Sequence, residues 1–225
     1  SVYRDAPKLS TLAVGVNAKM AGSPITKIVA DGSLFKGPQW LAGVDVSERT
    51  NGYLGLVSAL QVDGDRNDPT RETSPRSANP ENRAAGWLKQ AIGANASGAT
   101  IVSGVMPTTA MQIASVQSQP ISNWINHMMA VSDNTQAESL ARLVSLDAGM
   151  DGSFASIDPA VKAALRGAGI DFTGSVIMDG SGESLKNAVA PASMIKLLKQ
   201  IYLATGSLGI IKQSLPVAGE SGSLQ

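Results

Sequence analysis

A serine hydroxyl and an asparagine carboxamide stand two positions apart at Ser132-Asp133-Asn134, between two stretches of helical apolar periodicity. A chain that ends one helix and starts another there sets both short side chains at a tight corner. Beside a serine–lysine pair, the Ser132 hydroxyl can relay a proton between a nucleophile and a leaving amine. The Asn134 carboxamide carries donors and an acceptor, so it can hold a substrate carbonyl while steadying a lysine. Asp133, between them, would point elsewhere and reads as structural. A blander interpretation stands beside this one. Ser, Asp and Asn gather in ordinary turns, and Ser132 and Asn134 would then only cap the helix that follows.

Composition restricts the partners such a corner could have. The chain has no cysteine, which removes disulfides, thiolate catalysis and Cys-based zinc sites. Its one histidine, His127, argues against a His-built metal site and a Ser-His-Asp triad. A serine enzyme of this composition needs a base other than imidazole, and lysine is the candidate. His127 lies near Trp124 and Met128 on one helix and reads as a packed or solvent-edge residue, with Met128 and Met129 as core. Eighteen basic and eighteen acidic side chains cancel, leaving no electrostatic footprint for nucleic acid or an anionic membrane. Aromatic residues, at 4%, are too few for a base-stacking platform. No apolar run approaches the ~18 residues of a membrane span. Nothing calls for a metal or an organic cofactor.

Two Ser-x-x-Lys strings place a hydroxyl and an amine at the i, i+3 spacing that shares a helix face: Ser33-Leu34-Phe35-Lys36 and Ser193-Met194-Ile195-Lys196. The first follows a strand pattern and precedes Gly37-Pro38, so it should not be helical. The second sits at a helix start. There it competes with a core role for the same segment, in which Met194, Leu197, Leu198 and Ile201 form the buried face.

The elements that must position these residues follow from periodicity and punctuation. Leu9, Leu12, Val16 and Met20 predict a helix stopping near Gly22, and Ile25 to Ala30 a strand. Residues 34–49 read as an irregular connection, Tyr53 to Val62 as a buried strand. The Asp-, Arg-, Asn- and Pro-rich run from Asp63 to Pro80, extending to Arg83, reads as a solvated surface loop. Asn79-Pro80 should start a helix to Ile92. Thr100–Val105 and Met111–Val116 suggest antiparallel strands around Pro107. A helix opens at Pro120 and breaks at the triplet, after which Thr135-x-x-Glu138 suggests a capping box on a helix burying Ala137, Leu140, Ala141 and Val144. A helix from Pro159 to Arg166, a strand at Ser175–Met178, a turn at Asp179-Gly180-Ser181-Gly182 and a helix from Pro191 to Ala204 complete the pattern. The class is α/β or α+β, with an antiparallel sheet flanked by helices.

In order along the chain, these pieces resemble the D-alanyl-D-alanine carboxypeptidases of the class C low-molecular-mass penicillin-binding type, peptidase family S13. The resemblance runs through Arg4-Asp5-Ala6-Pro7, Asp31-Gly32-Ser33-Leu34-Phe35 with Gly37-Pro38, and Tyr53 with Val57-Ser58-Ala59-Leu60. It is most specific from Ser118 to Arg142, which is similar to the family's helix–SxN–helix unit almost position by position. It continues at Asp179-Gly180-Ser181-Gly182, Asn187, Pro191 and Leu197-Leu198. One departure stands out: Glu183-Ser184, where the family generally has Leu-Ser.

The resemblance implies a penicillin-binding-protein/β-lactamase-like transpeptidase domain with part of an inserted accessory domain. Residues 1–50 would end that insert and 51–225 would belong to the catalytic domain. Ser132 and Asn134 take the catalytic SxN role. The nucleophile's Ser-x-x-Lys and the Lys-Thr-Gly strand are expected before Ser1 and after Gln225, since both ends of this chain look cut and it reads as a segment of a longer precursor. Ser193 follows the SxN element, which argues against it as nucleophile. The implied partners are peptidoglycan stem peptides and β-lactams, outside the cytoplasm, in periplasm or cell wall. The alternatives are a non-catalytic module of the same fold that binds peptidoglycan or a partner, and a β-lactamase, which the segment at 1–50 fits less well.

Overall fold

Helical spacing of small and branched apolar residues builds α1 (Leu9–Met20), which ends where Ala21 turns left-handed, one residue before the expected glycine. In the computed structural model, which describes residues 1–224, Ala13 and Val16 are the buried positions of this helix. They meet Ile92, Ala96 and Ala99 in a first core, with Ile28 and Leu88 against it. Strand β1 (Lys27–Ala30) supplies Ile28 and runs parallel to β2 (Thr100–Ser103), with Ile28 opposite Ile101. Helix α3 (Pro80–Ile92) packs on both strands and on α1. It starts as expected, with the Asn79 side chain accepting from the Asn82 amide and Pro80 in the first turn.

The sheet differs from the expected antiparallel pairing. Met111–Val116 forms no strand, and β2 pairs instead with β1. Alternation alone gives a segment a face, and only Ala114 of this one finds a core; Met111 is 88% exposed. Tyr53–Val62 is likewise an irregular path and not a strand, although Leu54 and Val57 are buried as the apolar run suggested. The strand expected at Ser175–Met178 reduces to one antiparallel bridge between Val176 and Ala188. The end of the connection expected to be irregular overlaps a short helix, α2 (Ser47–Asn51).

A second core gathers Phe35, Val57, Ala141, Phe154 and Ile157. It lies where α5 (Asn134–Asp147) crosses α6 (Phe154–Gly167). Helix α6 begins five residues before Pro159, the expected start, and carries the proline inside it. Proline there removes one backbone hydrogen bond. Burial of Phe154, Ile157 and Ala160 around it compensates. The buried face of α5 is more polar than the apolar pattern implied, comprising Thr135, Gln136, Glu138, Ala141, Arg142 and Ser145.

Helix α4 (Ile121–Val131) precedes the corner and has no buried residue. Its Ile121, Ile125 and Met128 line an open apolar groove with Leu140, Leu143 and Val144 of α5. Met128 and Met129 therefore border a groove and not a core. Helix α8 (Leu208–Ser214) lies against α4, and α7 (Pro191–Tyr202) lies against α8. Of the core face expected for α7, Ile201 is buried, but Met194 and Leu198 are exposed. No helix among the described residues is long and apolar enough to cross a membrane.

Ile157 is fully buried in the second core, beneath the helix that carries the corner. Replacing it with alanine should lower the unfolding free energy by about 2–5 kcal/mol, read from urea denaturation.

Candidate active site

The break between α4 and α5 is made by one residue in an unusual backbone conformation. Ser132 ends α4 with φ 57° and ψ 51°, its amide donating to the Met128 carbonyl. A β-carbon in the left-handed region costs about 1–2 kcal/mol, so a non-glycine residue stays there only when its surroundings fix it. What fixes it is the next residue. Asp133 caps α5, its Oδ1 accepting from the Gln136 amide at 3.1 Å. Its Oδ2 accepts from Tyr3 Oη at 2.8 Å and from Arg66 Nη2 at 2.9 Å. Arg66 Nη1 donates in turn to Tyr3 Oη at 2.7 Å. The Arg66 and Asp133 side chains are 1% and 0% exposed.

This ion pair overturns the view of residues 63–83 as a solvated loop. Arg66, Asp65, Ser74 and Arg76 are all buried. The loop tolerates this because its charges find partners within it. Asp65 Oδ2 accepts from the Ser77 amide and hydroxyl at 2.8 and 2.7 Å. Arg76 Nη1 donates to the Gly64 carbonyl at 2.6 Å, and Arg66 Nε to the Glu72 carbonyl at 3.0 Å. Buried polar groups with partners are tolerated, and Arg66 is left aimed at Asp133. The Tyr3 ring stands edge-on to Trp124 and His127 of α4, at 5.2 and 5.0 Å. His127 Nδ1 lies 3.0 Å from Gln136 Oε1, joining α4 to α5. His127 thus packs between elements, as expected for its surroundings.

Burial by itself would raise the Asp133 carboxyl. The Arg66 charge and the hydrogen bonds from Arg66, Tyr3 and Gln136 outweigh it and hold the group below the usual aspartate range. Burial, and then the Asp133 charge, push the Tyr3 phenol far above its ordinary value, which keeps it a donor.

With Asp133 as the cap, neither expected site residue is used as one. Ser132 is exposed, and its hydroxyl has no hydrogen-bond partner among the described residues. Asn134 is half-buried at the first position of α5, and its Nδ2 donates to Glu183 Oε1 at 2.6 Å. The capping box expected from Thr135 and Glu138 does not form. Thr135 Oγ1 accepts from the Gly55 amide at 2.8 Å, fixing the 53–57 segment to α5. Glu138 accepts from the Gly180 amide at 3.0 Å and from the Ser181 amide and hydroxyl at 3.2 and 2.6 Å. α5 starts two residues earlier than that box requires, with Asp133 as its cap and Thr135 already inside the helix, and a buried glutamate serves tertiary donors before a distant Ncap amide.

Glu138 therefore clamps the 179–184 turn onto α5. Burial raises its carboxyl above the ordinary range, against the pull of the hydrogen bonds from Ser181 and Gly180. Asp179 closes the same turn on the Gly182 and Ser184 amides at 3.0 and 2.6 Å, as its sequence suggested. A β-carbon on Gly180 would lie 2.5 Å from the Ala137 carbonyl oxygen, so only glycine permits this approach. The clamped turn delivers Glu183 to Asn134. Sequence reasoning missed Tyr3, Arg66, Glu138 and Glu183 as parts of the corner; only Glu183 carried a signal, as the departure from the family pattern.

Of the two Ser-x-x-Lys strings, Ser33 to Lys36 lies in turn structure, with Lys36 Nζ donating to the Ser33 carbonyl at 2.7 Å. Ser193 and Lys196 do share helix α7, which rests on α8. Among the described residues, no group of three or more His, Cys, Asp or Glu could hold a metal ion.

The mixed α/β architecture, with helices around a small sheet, is a penicillin-binding-protein and β-lactamase-like fold, as superposition on a solved structure shows. The crystal structure of penicillin binding protein 4 (dacB) from Haemophilus influenzae superposes with a TM-score of 0.79 at 19% identity, covering 96% of this chain and 62% of that one. The chain belongs to the D-Ala-D-Ala carboxypeptidase 3 (S13) family, whose model matches residues 59–225. Carboxypeptidase DacB of Mycolicibacterium smegmatis is 34% identical over 224 residues, covering 99% of this chain and 48% of the relative. The chain thus spans about half the length of this curated relative. A second structure of the Haemophilus influenzae protein, complexed with a β-lactam, matches at 28% identity with a TM-score of 0.56, over 68% of this chain and 35% of that one.

Removing one partner from a buried ion pair strands the other charge, so Arg66→Ala should cost about 3–5 kcal/mol in urea unfolding. The pH dependence follows from the depressed Asp133 carboxyl. Its folded-state value lies below the unfolded value of about 3.9, so the stabilisation is complete above that pH and is lost as pH falls through the folded value. Asp133→Asn should flatten this acid limb in stability measured from about pH 5 down to 2.

Proposed function

We propose that this chain is the SxN-bearing part of a serine-type D-Ala-D-Ala carboxypeptidase that trims peptidoglycan stem peptides on the extracytoplasmic side, with endopeptidase cleavage within the same chemistry. Ser132 relays a proton between the attacking serine and the departing D-alanine amine. Asn134 binds the peptide carbonyl and steadies the lysine that activates the nucleophile. The serine and its lysine come from outside residues 1–225, as does the Lys-Thr-Gly strand. Residues 1–50 end an inserted accessory domain, and 51–225 belong to the transpeptidase-like domain. The serine attacks the penultimate D-alanine carbonyl, backbone amides stabilise the oxyanion, and water releases the acyl-enzyme.

The observation that carries this proposal is that Asp133 takes the capping role. The Ser132 hydroxyl and the Asn134 carboxamide are thereby released from the structural duty that would otherwise explain them. Backbone strain at Ser132 supports it, since such conformations gather at active sites. Family membership supports the reaction class. The β-lactam complex of the Haemophilus influenzae protein supports the assignment of penicillins as slow acylating substrates here.

In the full-length protein, Ser132→Ala and Asn134→Ala should each lower kcat/KM on a D-Ala-D-Ala peptide by about a hundredfold or more. Unfolding midpoints should move little, because neither side chain supports the fold. Ser193→Ala should leave covalent labelling by a fluorescent penicillin intact. Full activity in both corner variants, or abolished labelling in Ser193→Ala, would overturn the assignment.

A further inference from the structure

Glu183 occupies a position that its sequence neighbourhood does not require and that its geometry makes consequential. A carboxylate accepts only, so the 2.6 Å contact with Asn134 fixes the carboxamide with Nδ2 toward Glu183 and Oδ1 free. The contact is not the accident of a mobile side chain on a loose loop. Glu138 holds the turn through three hydrogen bonds, Asp179 holds it from within, and Gly180 is pressed against the α5 backbone.

The surroundings of Glu183 give it a second property. It is half-buried, and the charges that bear on it are those of Glu48 in α2 and Asp179 in its own turn, both negative. Burial first, and then these two acids, raise its carboxyl, against the hydrogen bond from Asn134. The corner thus presents, beside the carboxamide, a carboxyl group that no ion pair among the described residues engages. An ammonium group arriving there would gain what the protein leaves unprovided, and a carboxylate would meet repulsion.

Resting on the function proposed above, we propose that Glu183 is a specificity-determining residue. It orients the Asn134 carboxamide, and it selects peptides that carry a cationic rather than an anionic side chain on the residue next to the carbonyl that Asn134 binds. A neutral leucine at this position would supply neither property.

The test compares two peptides differing only in the residue before D-Ala-D-Ala, lysine in one and glutamate in the other, hydrolysed by the full-length protein. The wild type should favour the lysine peptide in kcat/KM. Glu183→Gln keeps an acceptor for Asn134 but removes the charge, so the preference should fall about two- to fivefold, carried by KM. Glu48→Gln should lower it by a smaller factor, since that acid bears on Glu183 through its charge alone and makes no hydrogen bond to Asn134. Glu183→Leu should lose the preference and also lower kcat on both peptides, because the carboxamide is no longer held. An unchanged ratio in Glu183→Gln, or a wild type that prefers the glutamate peptide, would overturn the inference while leaving the carboxypeptidase assignment standing. A wild type that neither hydrolyses these peptides nor is labelled by penicillin would overturn the assignment, and this inference with it.

Discussion

Taking a carboxylate and a guanidinium out of water together is expensive, and the pair made by Asp133 and Arg66 is stable only because every facing atom is used. Asp133 serves Arg66, Tyr3 and the Gln136 amide, while Arg66 also serves Tyr3 and two carbonyls of its own loop. This one buried pair ties the N-terminal segment, the 63–80 loop and the start of α5 into one unit. It also sets where α4 must stop. A helix running through residue 132 would carry Asp133 away from Arg66 and leave two charges stranded. The left-handed turn at Ser132 is therefore a consequence of the ion pair, and the exposed hydroxyl is a consequence of the turn.

The other side of the corner is built by a different constraint. Glu138, one turn along α5 from Asn134, reaches the 179–184 turn and not its own helix terminus. Close approach at Gly180 and the internal closure by Asp179 make that turn stiff. The Asn134 carboxamide is thus oriented by groups on opposite flanks: the cap at Asp133 fixes its backbone, and Glu183 fixes its amide. The catalytic role proposed for Asn134 would need such positioning, and the support comes from buried carboxylates in three places, Asp133, Glu138 and Asp179. Arg142, buried over the Phe154 ring at 4.0 Å and donating to the Pro38 carbonyl, extends the same polar interior under α5.

Much of the helical framework could be read before any coordinates. The spacing of Leu9 to Met20, the Asn79-Pro80 start and the break at residues 132–134 are local signals, and local signals decide where helices begin and end. The strands were less legible. Thr100–Ser103 is extended as expected but pairs with a segment more than seventy residues earlier, and no property of Met111–Val116 announces that it lacks a partner. The charged loop was the largest misjudgement. Its composition is that of a solvated excursion, yet Arg66, Arg76 and Asp65 are buried, because hydrogen-bond partners and not residue type decide whether a charge can leave water.

Sequence by itself determined the mixed helix–strand class, the lack of cysteine in these 225 residues, and the corner at Ser132-Asp133-Asn134. These depend on residue identity and short spacing, which folding does not change. Tertiary structure alone decided which of the three residues caps α5, which loop anchors it, and which acid faces Asn134. Those choices pit one hydrogen-bond acceptor against another across separations of 67 residues for Arg66–Asp133 and 49 for Asn134–Glu183. A competition of that kind is settled by burial and by the geometry of the packed chain, neither of which is written in any local stretch of it.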